Sequence, residues 1–283
     1  MAKKKTKNGK FADIQSKFSN NDVVRLRLAF DGLQSPEKGF DLVDEMKIPL
    51  TSLPLVLLPG FMLDETLWDE LVPLLQWPAP VHRLPLGPGT TTEEIARSIA
   101  RAAPERFVLI GFSLGGYLAR KVAELFPERV AALVLVASSL ASDTPERAKA
   151  KQDAIRALDP STFRGLSTGS IAQSLHPDRR GDRELVTRIR EMGRRLGYEA
   201  MVVQSGLRRD GIAAATLTCP TLVIGAEQDT LRSAQETREL AEAIPGAVRK
   251  VIGDSGHMLP LERADPLAAT IRAWLAVLAE VSS

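Results

Sequence analysis

A serine between two glycines lies near the middle of the chain, in the string Gly111-Phe112-Ser113-Leu114-Gly115. The apolar run FVLIG precedes this serine, and the helix-like pattern SLGGYLARKVAELF begins with it. The motif predicts a tight strand-to-helix turn, which needs small residues on either side of the serine. Such a turn exposes the Ser113 hydroxyl above a sheet and places the Leu114 amide at a helix N-terminus. We interpret Ser113 as a nucleophile; a serine that only caps the helix is the alternative.

A serine hydroxyl is a weak nucleophile at neutral pH, and it normally depends on a histidine held by a carboxylate. His257 follows an apolar run in the glycine-flanked loop of VIGDSGHMLPLE, and we predict it as the base. The other two histidines favour different roles. His82 lies in the middle of a predicted strand, and His176 lies in a loop where it could touch a substrate but more often would not.

The acid that orients the histidine should lie at the carboxyl end of a strand, where functional side chains of parallel sheets collect. Asp229 meets this condition in TLVIGAEQDT, and we predict it as the orienting acid. Three rivals stay open. Asp143 follows another strand, Glu227 lies two residues before Asp229, and Asp254 lies only three residues before His257.

A second turn, Pro59-Gly60-Phe61, follows the first strong apolar run. A tetrahedral intermediate needs backbone donors from two loops, and we predict the amides of Phe61 and Leu114 as this oxyanion hole. The side chains of the same two residues are candidates for substrate binding. Trp68 could join them in an apolar pocket, although its helical spacing with neighbouring leucines favours a place in the core.

The elements that must position these residues alternate along the chain. From residue 53 onward, apolar runs predict strands, and amphipathic stretches between most of them predict helices. The runs are LPLVLLPG, VHRLPL, FVLIG, VAALVLVAS, PTLVIG and VRKVIG. This alternation predicts an α/β fold with a parallel sheet covered by helices on both faces.

Residues 140–215 interrupt the alternation with helical periodicity, many arginines and no convincing strand. We interpret them as a helical cap inserted into an α/β core of residues 53–139 and 216–283. The basic stretch 1–20 predicts a disordered tail, and residues 21–52 predict a peripheral segment with a short hairpin.

Arginine is the clearest compositional feature of the predicted cap. Most of these arginines should lie on solvated helix faces, but one that turned inward could hold a carboxylate by a bidentate pair. The candidates are Arg179, Arg180, Arg183, Arg188, Arg190, Arg194, Arg195, Arg208 and Arg209.

Composition excludes several other classes of protein. The 283 residues are 44% hydrophobic and 25% charged, which is ordinary for a globular protein and argues against disordered, collagen-like and fibrous classes. The net charge of +2 argues against a nucleic-acid-binding surface, and the single Cys219 argues against a disulfide framework or a cysteine-rich metal site. No signal peptide or membrane span is predicted, so we expect a cytoplasmic protein of unassigned oligomeric state.

Together, the glycine-flanked Ser113, the chain order Ser113, Asp229, His257 and the helical insertion resemble the α/β-hydrolase superfamily over about residues 53–280. The resemblance is strongest to its small bacterial capped serine hydrolases, which include carboxylesterases. It implies a mostly parallel, eight-stranded sheet, no cofactor or metal, and a Ser-His-Asp catalytic triad.

Two features depart from that family pattern. Relatives usually carry His-Gly at the oxyanion turn, where this chain has Pro59-Gly60. The donor there is a backbone amide, so we expect activity to survive without the histidine. The 50-residue stretch before the first clear strand is also longer than these relatives need.

The expected function is hydrolysis of a small carboxylic ester through an acyl-enzyme. The same residues could support carbon–carbon bond hydrolysis or a lyase step on a small acidic substrate, because a fold does not determine the reaction. A haloalkane dehalogenase is disfavoured, since its nucleophile is a carboxylate and this turn carries Ser113. A non-enzymatic ligand receptor that docks through its basic tail is a further alternative. A small-molecule ester is the expected partner, without nucleic acid.

Overall fold

The structure is a computed structural model in which residues 49–281 are described. The predicted basic tail at residues 1–20 lies outside the described residues. The predicted peripheral segment 21–52, with its hairpin, also lies outside them except for residues 49–52.

A parallel sheet of six strands forms the centre of the described chain. The strands are β1 (Leu55–Leu58), β2 (Val81–Arg83), β3 (Phe107–Phe112), β4 (Val130–Val136), β5 (Thr221–Ala226) and β6 (Val248–Ile252). Their order across the sheet is β2-β1-β3-β4-β5-β6, and every neighbouring pair is parallel. Each strand coincides with an apolar run that predicted one.

The expectation of eight strands is not met among residues 49–281, where the sheet has six. That number came from the family resemblance. From residue 53 onward the sequence contains only six runs with strand character, and helices and loops occupy the intervals between them. The described part of the chain therefore has no further segment from which a strand could form.

Nine α-helices and four 3₁₀ turns accompany the sheet among residues 49–281. The helices are α1 (Leu71–Leu75), α2 (Thr92–Ala102), α3 (Leu114–Leu125), α4 (Pro145–Arg156), α5 (Thr168–Ser174), α6 (Arg183–Gly206), α7 (Ala234–Ala243), α8 (Leu259–Glu262) and α9 (Ala264–Val281). The 3₁₀ turns are Leu50–Ser52, Glu65–Trp68, Pro160–Thr162 and Pro177–Arg179.

Local sequence explains where several helices begin. Thr91 and Glu94 form a capping box at the start of α2, and Ser233 and Glu236 form another at the start of α7. The amphipathic stretch from residue 64 to residue 75 is typical of one helix, but it is divided into a 3₁₀ turn and α1. Pro73 explains the division, because a proline is tolerated in the first turn of a helix and not in its interior.

Both faces of the sheet are buried. Along β3, Val108 and Ile110 point into the core shared with α1 and α9, whereas Phe107 and Leu109 point into the core shared with α2, α3 and α7. Trp68 is fully buried in the first of these cores, as its spacing predicted. Burial on both faces explains why the four central strands, β1, β3, β4 and β5, are continuous apolar runs.

The chain leaves the sheet after β4 and returns to it at β5, and α4, α5 and α6 lie between these strands. We call residues 137–220 the helical segment. Helix α6 bends at Gly197, whose φ of 81° lies in the left-handed region that favours glycine. The helical segment includes residues 140–215, whose status as a separate cap domain stays a prediction. No helix within residues 49–281 is both long enough and apolar enough to cross a bilayer.

Candidate active site

The residues predicted to do chemistry follow the carboxyl ends of four strands. Phe61 follows β1, Ser113 follows β3, Asp229 follows β5 and His257 follows β6. The carboxyl ends of parallel strands lie along one edge of a sheet, and functional side chains of open α/β sheets collect at that edge. The topology therefore brings together residues that lie up to 196 positions apart, from 61 to 257.

The turn at Ser113 is as tight as its glycines predicted. Ser113 has φ 50° and ψ −111°, an unfavourable conformation for a residue with a side chain. A Cβ at Gly111 would lie 2.4 Å from the carbonyl oxygen of Gly115, and a Cβ at Gly115 would lie 2.4 Å from that of Leu58. Both glycines are thus required by close backbone approach, and the Ser113 N–H donates to the carbonyl oxygen of Val136 at 2.8 Å.

Ser113, His257 and Asp229 form a hydrogen-bonded series. The distance from Ser113 Oγ to His257 Nε2 is 2.9 Å, and that from His257 Nδ1 to Asp229 Oδ2 is 2.7 Å. All three residues are more than nine-tenths buried. With the proton on Nδ1 donated to Asp229, the lone pair of Nε2 faces the serine hydroxyl, which is the arrangement that a general base requires.

Backbone groups hold the acid and the base in place. Asp229 Oδ1 accepts hydrogen bonds from the N–H groups of Leu231 and Arg232, each at 2.8 Å. The His257 N–H donates to the carbonyl oxygen of Ser174 in α5 at 2.7 Å. The orientation of the imidazole therefore depends on the helical segment as well as on the sheet.

The three rival acids have other partners. Asp143 pairs with Lys151 at 2.6 Å, Asp254 with Arg263 at 3.6 Å, and Glu227 accepts from Gln228 at 3.0 Å. Of the four candidate carboxylates, Asp229 is the one bonded to His257.

The other two histidines lie away from the cavity at Ser113. His82 is a half-buried residue of β2 at the edge of the sheet. The Nδ1 atom of His176 accepts from the N–H of Asp178 at 3.2 Å, and the backbone N–H of His176 donates to Glu262 Oε1 at 2.6 Å. Burial raises the pKa of Glu262, against a smaller lowering by this hydrogen bond. His176 thus braces the loop beside His257 through its backbone.

A cavity of about 470 Å³ opens above Ser113 and His257. Phe61 and Leu114 line it, and most of its other lining residues belong to the helical segment. The N–H of Leu114 is the first in α3 and so has no acceptor within its own helix. Residues 49–281 contain no group of three or more His, Cys, Asp or Glu side chains placed to hold a metal ion.

Helix α6 holds the loop that follows β1, a contact that sequence reasoning missed. Gln204 Oε1 accepts a buried hydrogen bond from the N–H of Met62 at 2.8 Å. Arg195 Nε donates to Asp64 Oδ2 at 2.7 Å. Met62 follows Phe61 directly and has φ 55°, so the loop is strained at the residue that bonds to the helix. One glutamine among the polar residues of a helix carries no sequence signal for such a role.

One of the nine predicted cap arginines lines the cavity, namely Arg209. Five others pair with carboxylates elsewhere: Arg179 with Asp182, Arg188 with Glu70, Arg194 with Glu191, Arg195 with Asp64 and Arg208 with Asp210. Arg232 also lines the cavity. It lies outside the predicted cap, just before α7, and sequence reasoning missed it.

Comparison with known proteins agrees with this architecture. Residues 55–270 match the model of the Alpha/beta hydrolase family. The pimeloyl-[acyl-carrier protein] methyl ester esterase of Klebsiella pneumoniae (strain 342) is 40% identical over 94 residues, which are 30% of this chain and 36% of that relative. The match thus spans about a third of that curated relative's length.

Two solved structures match most of this chain. A thermophilic esterase from Thermogutta terrifontis superposes with a TM-score of 0.67 and 25% identity, covering 82% of this chain and 91% of that one. The enol-lactonase of Burkholderia xenovorans LB400 shares the fold with a TM-score of 0.69 and 19% identity, covering 80% of this chain and 92% of that one. From its family match and its parallel sheet, this chain belongs to the Alpha/beta hydrolase family.

Proposed function

We propose that this chain is a serine hydrolase that cleaves a small carboxylic ester through an acyl-enzyme intermediate. The observation that carries the proposal is the series Ser113 Oγ, His257 and Asp229, with distances of 2.9 Å and 2.7 Å, at the wall of a cavity large enough for a small ester. The similarity to an esterase over most of the chain supports the same reaction class.

In the acylation step, His257 Nε2 takes the proton of Ser113 as Oγ bonds to the ester carbonyl carbon. The carbonyl oxygen becomes an oxyanion, and the N–H groups of Phe61 and Leu114 stabilise its charge. His257 then gives its proton to the departing alcohol oxygen as the carbon–oxygen bond breaks. Asp229 stays ionised and stabilises the imidazolium.

In the deacylation step, a water molecule replaces the alcohol. His257 takes a proton from this water as its oxygen attacks the acyl carbon, and the proton returns to Ser113 Oγ when the acid leaves. The products are one alcohol and one carboxylic acid, and no other reactant is consumed.

Hydrolysis of p-nitrophenyl esters from acetate to laurate at pH 7–8 tests the proposal. We expect turnover by the wild type, and a fall of at least about 10³-fold in kcat in Ser113→Ala. Ser161→Ala, which alters an exposed serine of the helical segment, serves as the matched control and should retain full activity. The chain length with the highest kcat/KM measures the acyl part of the cavity.

Labelling by a fluorophosphonate, mapped by mass spectrometry, gives an independent readout. We expect a single adduct on the peptide that contains Ser113. An unlabelled Ser113 together with no turnover would show that the three residues do not act as a triad, and would favour the ligand receptor. A labelled Ser113 without ester turnover would favour a carbon–carbon hydrolase or lyase.

A further inference from the structure

The charged residues of the cavity are unbalanced in sign. Among the described residues that line it, apart from His257, the charged side chains are Lys151, Arg209, Arg232 and Asp143. Lys151 and Asp143 form a close ion pair with a separation of 2.6 Å. The two arginines are therefore in excess, and their charge faces a cavity that is otherwise mainly apolar.

Neither arginine is fully paired by the protein. The side chain of Arg209 is only 9% exposed, and Asp143 Oδ2 lies 4.0 Å from its Nη2, which is beyond a hydrogen bond. Arg232 lies 4.0 Å from Glu236, and its Nη1 donates to the carbonyl oxygen of Leu231 at 2.7 Å. The Nε atoms of both arginines are buried without a partner among the described residues. A buried guanidinium charge that the protein pairs only at 4.0 Å is costly, so an anion in the cavity that these residues line would stabilise both side chains.

Tyr117 contacts both guanidinium groups. Their carbon atoms lie 5.4 Å and 6.0 Å from the centre of its ring, within the range of a cation–π contact. The Tyr117 hydroxyl donates to the carbonyl oxygen of Ala141 at 2.7 Å, which fixes the ring. Tyr117 is four residues after Ser113, a rise of about 6 Å along α3. Arg209, Arg232 and Ser113 all line the same cavity.

A third arginine adds positive charge behind this ring. Arg120 is fully buried, and its guanidinium carbon lies 5.1 Å from the ring centre of Tyr117. Burial lowers the pKa of Arg120 to about 10, which still leaves the group charged at neutral pH. Its Nη2 donates to the carbonyl oxygen of Ser139 at 2.9 Å.

The pKa of Asp143 reflects the positive charge of the side chains around it. Burial acts to raise the pKa of this carboxyl group, but the hydrogen bond from Lys151 and the charges of Arg209, Lys151 and Arg232 outweigh burial and lower it. The ionised form of a carboxyl group is therefore favoured at this place in the cavity. A second carboxylate, carried in by a ligand, would meet the same field at the unpaired arginines.

We propose that Arg209 and Arg232 form a subsite that binds a carboxylate group of the substrate while the scissile ester lies at Ser113. The inference rests on the proposed function and deepens it, since it names the substrate class as half-esters of short dicarboxylic acids. The planar fork of a guanidinium matches a carboxylate in shape and in charge.

Pairs of substrates that differ only in charge test the subsite. The monomethyl esters of four- to seven-carbon dicarboxylic acids would be compared with their carboxamide analogues, in which an uncharged amide replaces the free carboxylate. We expect kcat/KM for the charged member to exceed that for the amide by at least about tenfold at the best chain length, and the ratio to fall as ionic strength rises. An equal or lower kcat/KM for the charged member at every length would overturn the subsite.

Variants of the two arginines test whether these residues cause the preference for the charged ester. Arg209→Gln and Arg232→Gln should each lower the ratio of charged to uncharged kcat/KM by at least about fivefold. Arg208→Gln is the matched control, because Arg208 neighbours Arg209 in the chain but is 86% exposed and paired with Asp210. It should leave the ratio unchanged. A ratio that is the same in all three variants would show that the preference arises elsewhere.

A binding measurement separates this proposal from the proposed function. Ser113→Ala, which removes the nucleophile, should bind glutarate in calorimetry, and the added Arg209→Gln or Arg232→Gln change should weaken this binding by at least about tenfold. Dicarboxylate binding without any ester turnover would support the subsite while the proposed function fails. Ester turnover that depends on Ser113, without glutarate binding or charge preference, would overturn the subsite and leave the proposed function intact.

Discussion

Each member of the candidate triad is held by a hydrogen bond to the backbone, from neighbouring residues for Asp229 and from distant ones for Ser113 and His257. Asp229 is fixed by two amides of its own loop, His257 by the carbonyl oxygen of Ser174, and Ser113 by that of Val136. The strain at Ser113, with φ 50°, is of a kind that costs about 1–3 kcal/mol and persists only where the surroundings determine it. The geometry at the hydroxyl is thus preorganised, and a small change in the acid should affect it strongly.

Replacing Asp229 with asparagine should lower kcat by about 10³- to 10⁴-fold, because the amide favours the wrong tautomer of His257 and no longer stabilises its charge. Steady-state kinetics with a p-nitrophenyl ester measures this change. Asp254→Asn is the matched control, since Asp254 is 78% exposed and asparagine tolerates its φ of 52°. Full activity in Asp229→Asn would assign the orienting role to another acid.

At the scale of elements, α6 acts on the loop after β1. The bond from the Met62 N–H to Gln204 spans 142 residues and is buried, so it ties the neighbour of the predicted oxyanion donor Phe61 to the helical segment. This chain has Pro59-Gly60 before the loop, and we infer that Gln204 positions the loop.

Gln204→Met keeps the size of the side chain and removes the acceptor, which leaves the buried Met62 N–H unsatisfied. We expect a loss of stability of about 1–3 kcal/mol. Because the loop carries the predicted oxyanion donor Phe61, we also expect kcat to fall by about tenfold or more while KM changes little. Gln235→Ala, at an exposed position of α7, is the control. A stability loss with unchanged kcat would limit Gln204 to a structural role.

At the scale of the whole molecule, charged contacts join the helical segment to the sheet. Arg195 of α6 pairs with Asp64, which is 5% exposed and follows β1. Burial acts to raise the pKa of Asp64, but hydrogen bonds from Arg195 and Thr66 outweigh burial and lower it below 3.8. A carboxyl group whose pKa is lowered by folding stabilises the folded state above its unfolded pKa, and this contribution is lost as the pH falls through the folded pKa.

Asp64→Asn should therefore lower Tm at pH 5–7, and the difference from wild type should narrow only below about pH 4. The effect should be modest and weaker in high salt, because Arg195 is 45% exposed. Thermal unfolding followed by circular dichroism from pH 7 to pH 2.5 measures it. Asp178→Asn is the control, because this position is 90% exposed. Its difference in Tm from wild type should not narrow below about pH 4. A difference in Tm between Asp64→Asn and wild type that stayed constant from pH 7 to pH 2.5 would contradict a lowered pKa of Asp64.

The sequence by itself determined the features that depend on neighbouring residues. The six strands, the capping boxes of α2 and α7 and the tight turn at Ser113 all follow from local periodicity, from caps and from glycines with no room for a Cβ. Asp229 and His257 could be proposed for the same reason, since each follows a recognisable strand.

Only the tertiary structure decided which distant side chains meet. It bonded Asp229, one of four candidate carboxylates, to His257. It also placed Gln204 on the loop at Met62 and directed Arg209 and Arg232, but not the arginines paired elsewhere, toward the cavity. Helical periodicity indicates which polar residues share one face of a helix. The group that each side chain contacts depends on how the helix packs on the sheet. That packing is set by contacts between residues far apart in the chain, and local periodicity does not encode it.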